Sequence, residues 1–257
     1  MASLPSNTFM FNYNAREYNS STRTFPKTQG QLFDQDIVLS GTPSGYNDVS
    51  VLFGSNAYMG KQYSNAASNP FNRDASNSTF TFIYKTSGFT DGGTNLFGNR
   101  DDNYNYMVRG NMFHTQDSGF LSLTPSSSPQ IVVIRIQANG HSERKVVDVS
   151  GNTIQSTSAS SINWGGVSRG FAFFAGYRNG GEKFQNRFYW MYCSLEALTD
   201  NEIKKVIAYN ERLSTFEPDT TALTGDYRAT AFTVNLTANE NTTWSATTIP
   251  SWVTVSP

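Results

Sequence analysis

Residues 176–213 read GYRNGGEKFQNRFYWMYCSLEALTDNEIKKVIAYNERL, and the period of the chain changes inside them. RFYWMYCSL (187–195) reads as a strand of apolar and aromatic residues. Cys193 within it reads as a small buried apolar residue, because no His or Lys stands near it in sequence to activate a thiolate. From Thr199 the spacing becomes helical. Thr199 is followed three residues on by Glu202, a capping box. Asp200 and Glu202 occupy the first turn, where the helix dipole favours negative charge. Ile203, Val206, Ile207 and Asn210 then share one face. The expectation is a strand feeding a helix over 197–213 that lays one narrow stripe on a sheet.

Upstream, period two dominates. STFTFIYKT (78–86) sets Phe80, Phe82 and Tyr84 on one face and Thr79, Thr81 and Ile83 on the other. QIVVIRIQANG (130–140) is a nearly continuous apolar strand ending in Asn-Gly, and RKVVDVSGN (144–152) follows it. That is a hairpin signature, with His141, Ser142 and Glu143 completing the loop. TFMFNYN (8–14), QDIVLSG (35–41), DVSVLFG (48–54) and GFAFFAG (170–176) read as further strands. Turn clusters rich in Gly, Asn, Ser and Pro separate them, the pattern of a sandwich or jelly roll. STFEPDTTALTGD (214–226) has no period and reads as a linker, after which alternation returns through NTTWSATTIPSWVTVSP (241–257). Trp244 and Trp252 read there as core residues of a small sandwich.

The 257 residues carry 19 basic and 20 acidic side chains, a formal charge of -1. That balance argues against a phosphate-tracking nucleic-acid surface and against electrostatic membrane binding. Charged residues are 15% of the chain and aromatics 14%, so its polarity comes from Asn, Ser, Thr and Gly, a mix that favours strands and turns. No apolar stretch approaches the roughly 20 residues of a membrane helix. No basic patch followed by an apolar run marks a leader near the N-terminus.

The close of the first region, ALTDNEI after RFYWMYCSL, resembles the end of concanavalin A-like lectin/glucanase domains in their laminin G-like form. FTFIYKT, NYMVR, VVIRIQANG and VVDVSGN fall where that family's middle strands and hairpin would lie. The resemblance covers most of 1–213 and implies an all-β jelly-roll sandwich with one C-terminal helix. A second resemblance lies in the tail. FTVNLTANENTTWSATTIPSWVTVSP is similar to the first half of a BACON domain, a small immunoglobulin-like sandwich of gut Bacteroidota proteins and their phages. The expected organisation is therefore a lectin-like domain (1–213), a linker (214–226) and an incomplete BACON-like domain (227–257). Half a sandwich would expose its core, so the expectation is a truncated chain, an ordered N-terminal portion, or a tail completed by a neighbouring chain.

Glucanases of this fold use carboxylates alternating on one strand as acid and nucleophile. The eight glutamates (17, 143, 182, 196, 202, 211, 217 and 240) form no such pattern. Asp34/Asp36 and Asp101/Asp102 are the closest acidic pairs, and neither has a partner Glu. His114 and His141 lack a nucleophile motif. The chain is thus expected not to be an enzyme and to need no cofactor. Calcium is the one metal that the laminin G-like resemblance admits, and GNRDDNYNY (98–106) would supply its oxygens, although an ordinary polar turn is the favoured reading of that loop. Sugar sites pair an aromatic ring with Asn, Asp or Arg groups that bond hydroxyls. Two stretches have that mix, both expected in rim loops: Asn99, Arg100, Asp101 and Tyr104 in one, Tyr177, Arg178 and Asn179 in the other.

Three functions stay open at this point. The leaderless start, low charge and BACON-like tail favour a phage virion protein: a head or tail fibre, or a capsid decoration. It would be made in the host cytoplasm, oligomerise with itself as a trimer, meet other virion proteins and bind host surface glycans, with no nucleic acid and no membrane insertion. The alternative is a secreted or surface carbohydrate-binding protein of a gut bacterium. A glycoside hydrolase comes third.

Overall fold

The computed structural model describes residues 4, 9–54, 56–73, 79–87, 95–100, 104–109, 112–115, 121–124, 126–159, 168–177, 179–211, 217–218 and 236–237. In chain order its strands begin with β1 (Phe9–Asn14), β2 (Thr24–Phe25), β3 (Ile37–Val38), β4 (Gly45–Asn47), β5 (Ser50–Leu52), β6 (Met59–Gln62) and β7 (Phe80–Ser87). β8 (Asn95–Arg100), β9 (Tyr104–Arg109), β10 (Met112–Thr115), β11 (Leu121–Ser122) and β12 (Gln130–Ile136) follow. β13 (Ser142–Val147), β14 (Thr153–Ala159), β15 (Gly170–Phe173) and β16 (Arg187–Ser194) lead into the helix α1 (Asp200–Glu211). β17 (Glu217–Pro218) pairs with β18 (Leu236–Thr237), so two residues of the stretch read as a linker form a short ladder with the chain beyond it.

Two antiparallel sheets face each other. The larger runs β14-β13-β12-β7-β16-β5-β4, and the smaller runs β11-β10-β9-β8-β15-β6. β16 is shared along its length: Arg187 and Phe188 pair with β5, and Trp190 to Ser194 pair with β1. Alternation along the strands builds the layers. Phe82, Ile134 and Cys193 stand in register and face the smaller sheet, while their neighbours Ile83, Val133 and Tyr192 face the other way. From the smaller sheet Phe97, Val108, Phe113, Phe171 and Phe173 close the inner core. That core is aromatic. Phe11 alone meets Phe71, Phe82, Phe97 and Phe173, the last edge-to-face at 5.1 Å.

The outer face of the larger sheet is covered by α1. Ile203, Val206 and Ile207 pack on Ile83, Val133, Trp190 and Tyr192, as the 3.6-residue spacing predicts. The fourth residue of the stripe is polar and is used as such. Asn210 donates to Asn12 Oδ1 at 2.9 Å, and Asn14 donates to the Asn210 carbonyl at 3.0 Å, so the helix is tied to β1 nearly two hundred residues earlier. Trp190 Nε1 and Lys85 Nζ both donate to Glu211, each at 2.6 Å. The capping box forms, with Thr199 N on Glu202 Oε2 at 2.7 Å and Glu202 N on Thr199 Oγ1 at 3.3 Å.

The β12–β13 hairpin corrects one expectation. Ser142 and Glu143 are not loop residues: they pair with Ile136 and Arg135, and Glu143 makes a salt bridge with Arg135. The turn is only 137–141, closed by Gln137 N on the His141 carbonyl at 2.9 Å. No helix among the described residues is long and apolar enough to cross a membrane.

Candidate functional site

β15 ends at a residue with unusual backbone. Phe174 has φ 61°, in the left-handed region, and so does Glu182 at 52°. The only other such non-glycine residue among those described is Arg23. Left-handed backbone costs an ordinary residue about 1–2 kcal/mol, and packing offsets it at Phe174. Its buried ring stacks on Phe53 at 4.0 Å and meets Phe188 edge-to-face at 5.0 Å. Pinned there, the chain reverses. Ala175 bridges to Lys183, Gly176 N donates to the Gly181 carbonyl at 3.0 Å, and Gly180 N donates to the Tyr177 carbonyl at 2.9 Å. The result is a small hairpin over 174–183.

The hairpin lies against the outer face of the smaller sheet. Gly98, Met107 and Ala172 share one row across β8, β9 and β15, between the core-facing phenylalanines. A Cβ on Gly98 would collide with the backbone of Gly176, so glycine is what lets the hairpin come this close. At the hairpin tip the two glycines rest on rings: a Cβ on Gly180 would come 2.5 Å from the Tyr58 ring, and one on Gly181 would come 2.8 Å from the Tyr177 ring. Lys183 Nζ sits 5.6 Å from the centre of the Tyr58 ring, a cation–π distance.

A polar clasp fixes the base of the hairpin. Asn95 and Arg109 face each other across β8 and β9. Asn95 Nδ2 donates to the Glu182 carbonyl at 3.1 Å and to its carboxylate at 3.0 Å. Arg109 Nη2 donates to the same carboxylate at 3.0 Å, and its Nε donates to Asn95 Oδ1 at 3.2 Å. The inner side of Arg109 is held as well. Its carbonyl accepts from Tyr84 Oη at 3.0 Å and from Arg144 Nη2 at 3.1 Å, and Arg144 also donates to Tyr84. Arg144 belongs to the larger sheet and is fully buried, so this chain bridges the sandwich. Burial pulls the Arg144 pKa down and pushes that of Tyr84 up.

Of the residues expected to bind sugar, Tyr177 and Asn179 lie together on this hairpin, the first half-buried and the second exposed. Arg178 lies outside the described residues. The other stretch is corrected. Asn99 and Arg100 belong to β8 and Tyr104 to β9, with Arg100 paired to Tyr104, so only residues 101–103 connect the strands and Asp101 lies outside the described residues. Asn99 points inward and is fully buried. It donates to the Phe71 carbonyl at 3.0 Å and accepts from Asn69 Nδ2 at 2.7 Å, which makes it a brace for residues 69–72. Asn95 opens β8 and Asn99 stands next to its last residue, so the clasp sits at the end of the strand away from Arg100.

Asn95, Arg109, Glu182, Tyr58 and Lys183 were not singled out from sequence. Only Glu182 carried a signal, its place beside Gly180 and Gly181; nothing in one dimension joins Asn95 to a residue 87 positions away. Chemically the assembly offers amide, hydroxyl and ammonium groups beside tyrosine rings, and its one carboxylate is already engaged by Arg109 and Asn95. Among the described residues no group of three or more His, Cys, Asp or Glu is placed to hold a metal ion.

No family model and no curated protein matches the chain. Solved structures do. The receptor binding domain of botulinum neurotoxin C/D mosaic serotype superposes with a TM-score of 0.50 at 13% identity, over 79% of this chain and 51% of that one. The binding domain of botulinum neurotoxin DC, solved with rat synaptotagmin II, gives 0.50 at 11% identity over 79% and 52%. Trypanosoma rangeli sialidase in complex with sialic acid gives 0.51 at 8% identity over 81% and 34%. What these share with the chain is a β-sandwich fold. The chain spans about half the length of the neurotoxin domains it matches.

Proposed function

We propose that the chain is a glycan-binding, non-catalytic lectin-like module of a phage virion, part of a head or tail fibre or a capsid decoration. One observation carries the binding reading: the hairpin 174–183 is bent back over the smaller sheet at two left-handed residues, and it carries Tyr177 and Asn179 together with Lys183, whose ammonium lies over the Tyr58 ring. Backbone strain of this kind persists where the surroundings over-determine it, and it gathers at binding sites. Flat rings flanked by amide and ammonium donors suit a polyhydroxylated ligand. Two further facts lend support. Glu182, the carboxylate of the site, is committed to a salt bridge with Arg109, an arrangement for holding shape and not for moving protons. The sandwich neighbours include a receptor binding domain and a sialidase solved in complex with sialic acid.

The virion assignment adds the BACON-like pattern of the tail and the near-neutral, Asn/Ser/Thr-rich composition. On this reading the protein forms homotrimers that sit among other virion proteins and present the hairpin to host glycans. A glycan array probed with the full chain tests the binding half. Sugar bound by the native chain and weakened about tenfold by Asn179→Ala supports it; an array with no sugar bound sinks it. Mass spectrometry of purified gut-phage particles tests the other half. Peptides of this chain in particles support the virion role. Peptides found instead in a bacterial outer-membrane fraction replace it with a surface carbohydrate-binding protein.

A further inference from the structure

We infer that Arg109 and Glu182 are positioning residues: their bond sets the conformation of the 174–183 hairpin and thereby the placement of Tyr177 and Asn179 for ligand. This inference rests on reading the hairpin as the ligand site. The argument begins with backbone. Glu182 holds φ 52°, a conformation that an L-residue abandons unless something restrains it. The restraint is visible on both sides of the residue, since Asn95 Nδ2 takes its carbonyl and its carboxylate together, and Arg109 takes the carboxylate again.

Arg109 suits this work because it is fixed at its other end. Its carbonyl is held between Tyr84 and Arg144 inside the sandwich, while its guanidinium reaches the outer face. The side chain is therefore a rigid arm from the core to the hairpin. Its fork spends Nε on Asn95 and Nη2 on Glu182, a division that a lysine's single ammonium cannot reproduce. Other hairpin contacts include backbone bonds, the seating of Gly180 and Gly181 on tyrosine rings, and Lys183 Nζ over the Tyr58 ring. Of these only Lys183 brings a charge, and it meets a ring and not a hydrogen-bonding partner on the sheet.

The test is hydrogen exchange on the full chain, read at the Gly176 and Gly180 amides, both donors within the hairpin. Glu182→Ala is expected to speed exchange at both by about tenfold, the loss of the carboxylate's bonds to Arg109 and Asn95, and to leave the amides of β12 unchanged. Arg109→Lys is expected to speed it by a smaller factor. Glu182→Gly separates the carboxylate from the backbone, because glycine adopts φ 52° freely. The inference expects Glu182→Gly to loosen the hairpin as Glu182→Ala does. Native-like protection in Glu182→Gly, or unchanged exchange in Glu182→Ala, overturns it. Ligand binding supplies the second readout. With a sugar identified on the array, Glu182→Ala is expected to weaken binding about tenfold at an unchanged denaturation midpoint, and equal affinity overturns the positioning role. If exchange responds as expected but the native chain binds no sugar, the clasp stands and the glycan reading falls.

Discussion

Asn99 and Asn179 are two asparagines that sequence alone treats alike. The first is buried and bonds the side chains of Asn69 and Asn72 and the carbonyl of Phe71, and the second faces solvent at a hairpin tip. Asn99→Ala should therefore lower stability by about 3 kcal/mol, since it strands buried donors and acceptors, whereas Asn179→Ala should leave stability within about 0.5 kcal/mol. Urea denaturation of the two variants decides it. Gly98→Ala should be worse tolerated than its chemistry suggests, because the added methyl meets backbone at Gly176 and not a side chain that can swing aside. Cys193 is fully buried and its thiol is pushed up to about 12 by burial. It should stay unreactive to a thiol reagent until the protein unfolds.

At the scale of elements, α1 is the piece whose removal has the clearest signature. It is capped by Thr199 and Glu202, and Thr199→Ala should cost about 1 kcal/mol of stability. The Glu202 carboxyl is held below its ordinary pKa of 4.5, first by the backbone N–H of Thr199 and then by its hydroxyl. A depressed carboxylate stabilises in full above its unfolded value, so the contribution is complete above pH 4.5 and is lost as pH falls through the folded value. Glu202→Gln should flatten the stability profile in that acid window, as denaturation midpoints across pH will show. Ile207→Ala should cost about 3 kcal/mol, a large-to-small change in a layer that packs directly on Ile83 and Tyr192.

For the whole molecule, alkali is the revealing stress. Burial raises the pKa of Tyr13, Tyr84, Tyr106 and Tyr192 above the ordinary 10.0, and that of Cys193 above 9.0. Below pH 9 the folded and unfolded chains both keep these protons, so stability is insensitive to pH through these groups. Above it the unfolded chain releases protons that the folded chain retains, and stability falls with rising pH. Tyrosinate absorbance should consequently rise for the surface tyrosines first and for the buried ones in a single step together with loss of structure. A smooth titration of all tyrosines without unfolding would contradict the packing described for the inner core.

Much of this architecture was legible in one dimension. Period two set which faces of Phe80 to Tyr84 meet the core, and the change of period at Thr199 marked the helix, its cap and its buried stripe down to Asn210. These are local properties, fixed by side-chain spacing and by hydrogen bonds within four residues. The candidate site was legible only in half. Tyr177 and Asn179 advertised themselves by composition, but Asn99 misled, because a strand that continues one residue further turns a rim residue into an interior brace. Asn95, Arg109 and Glu182 were decided by tertiary structure alone. Their clasp depends on β8 pairing with β9 and on the chain reversing at Phe174, and that reversal exists because an aromatic core assembled from distant strands holds one phenylalanine in a conformation its own sequence disfavours.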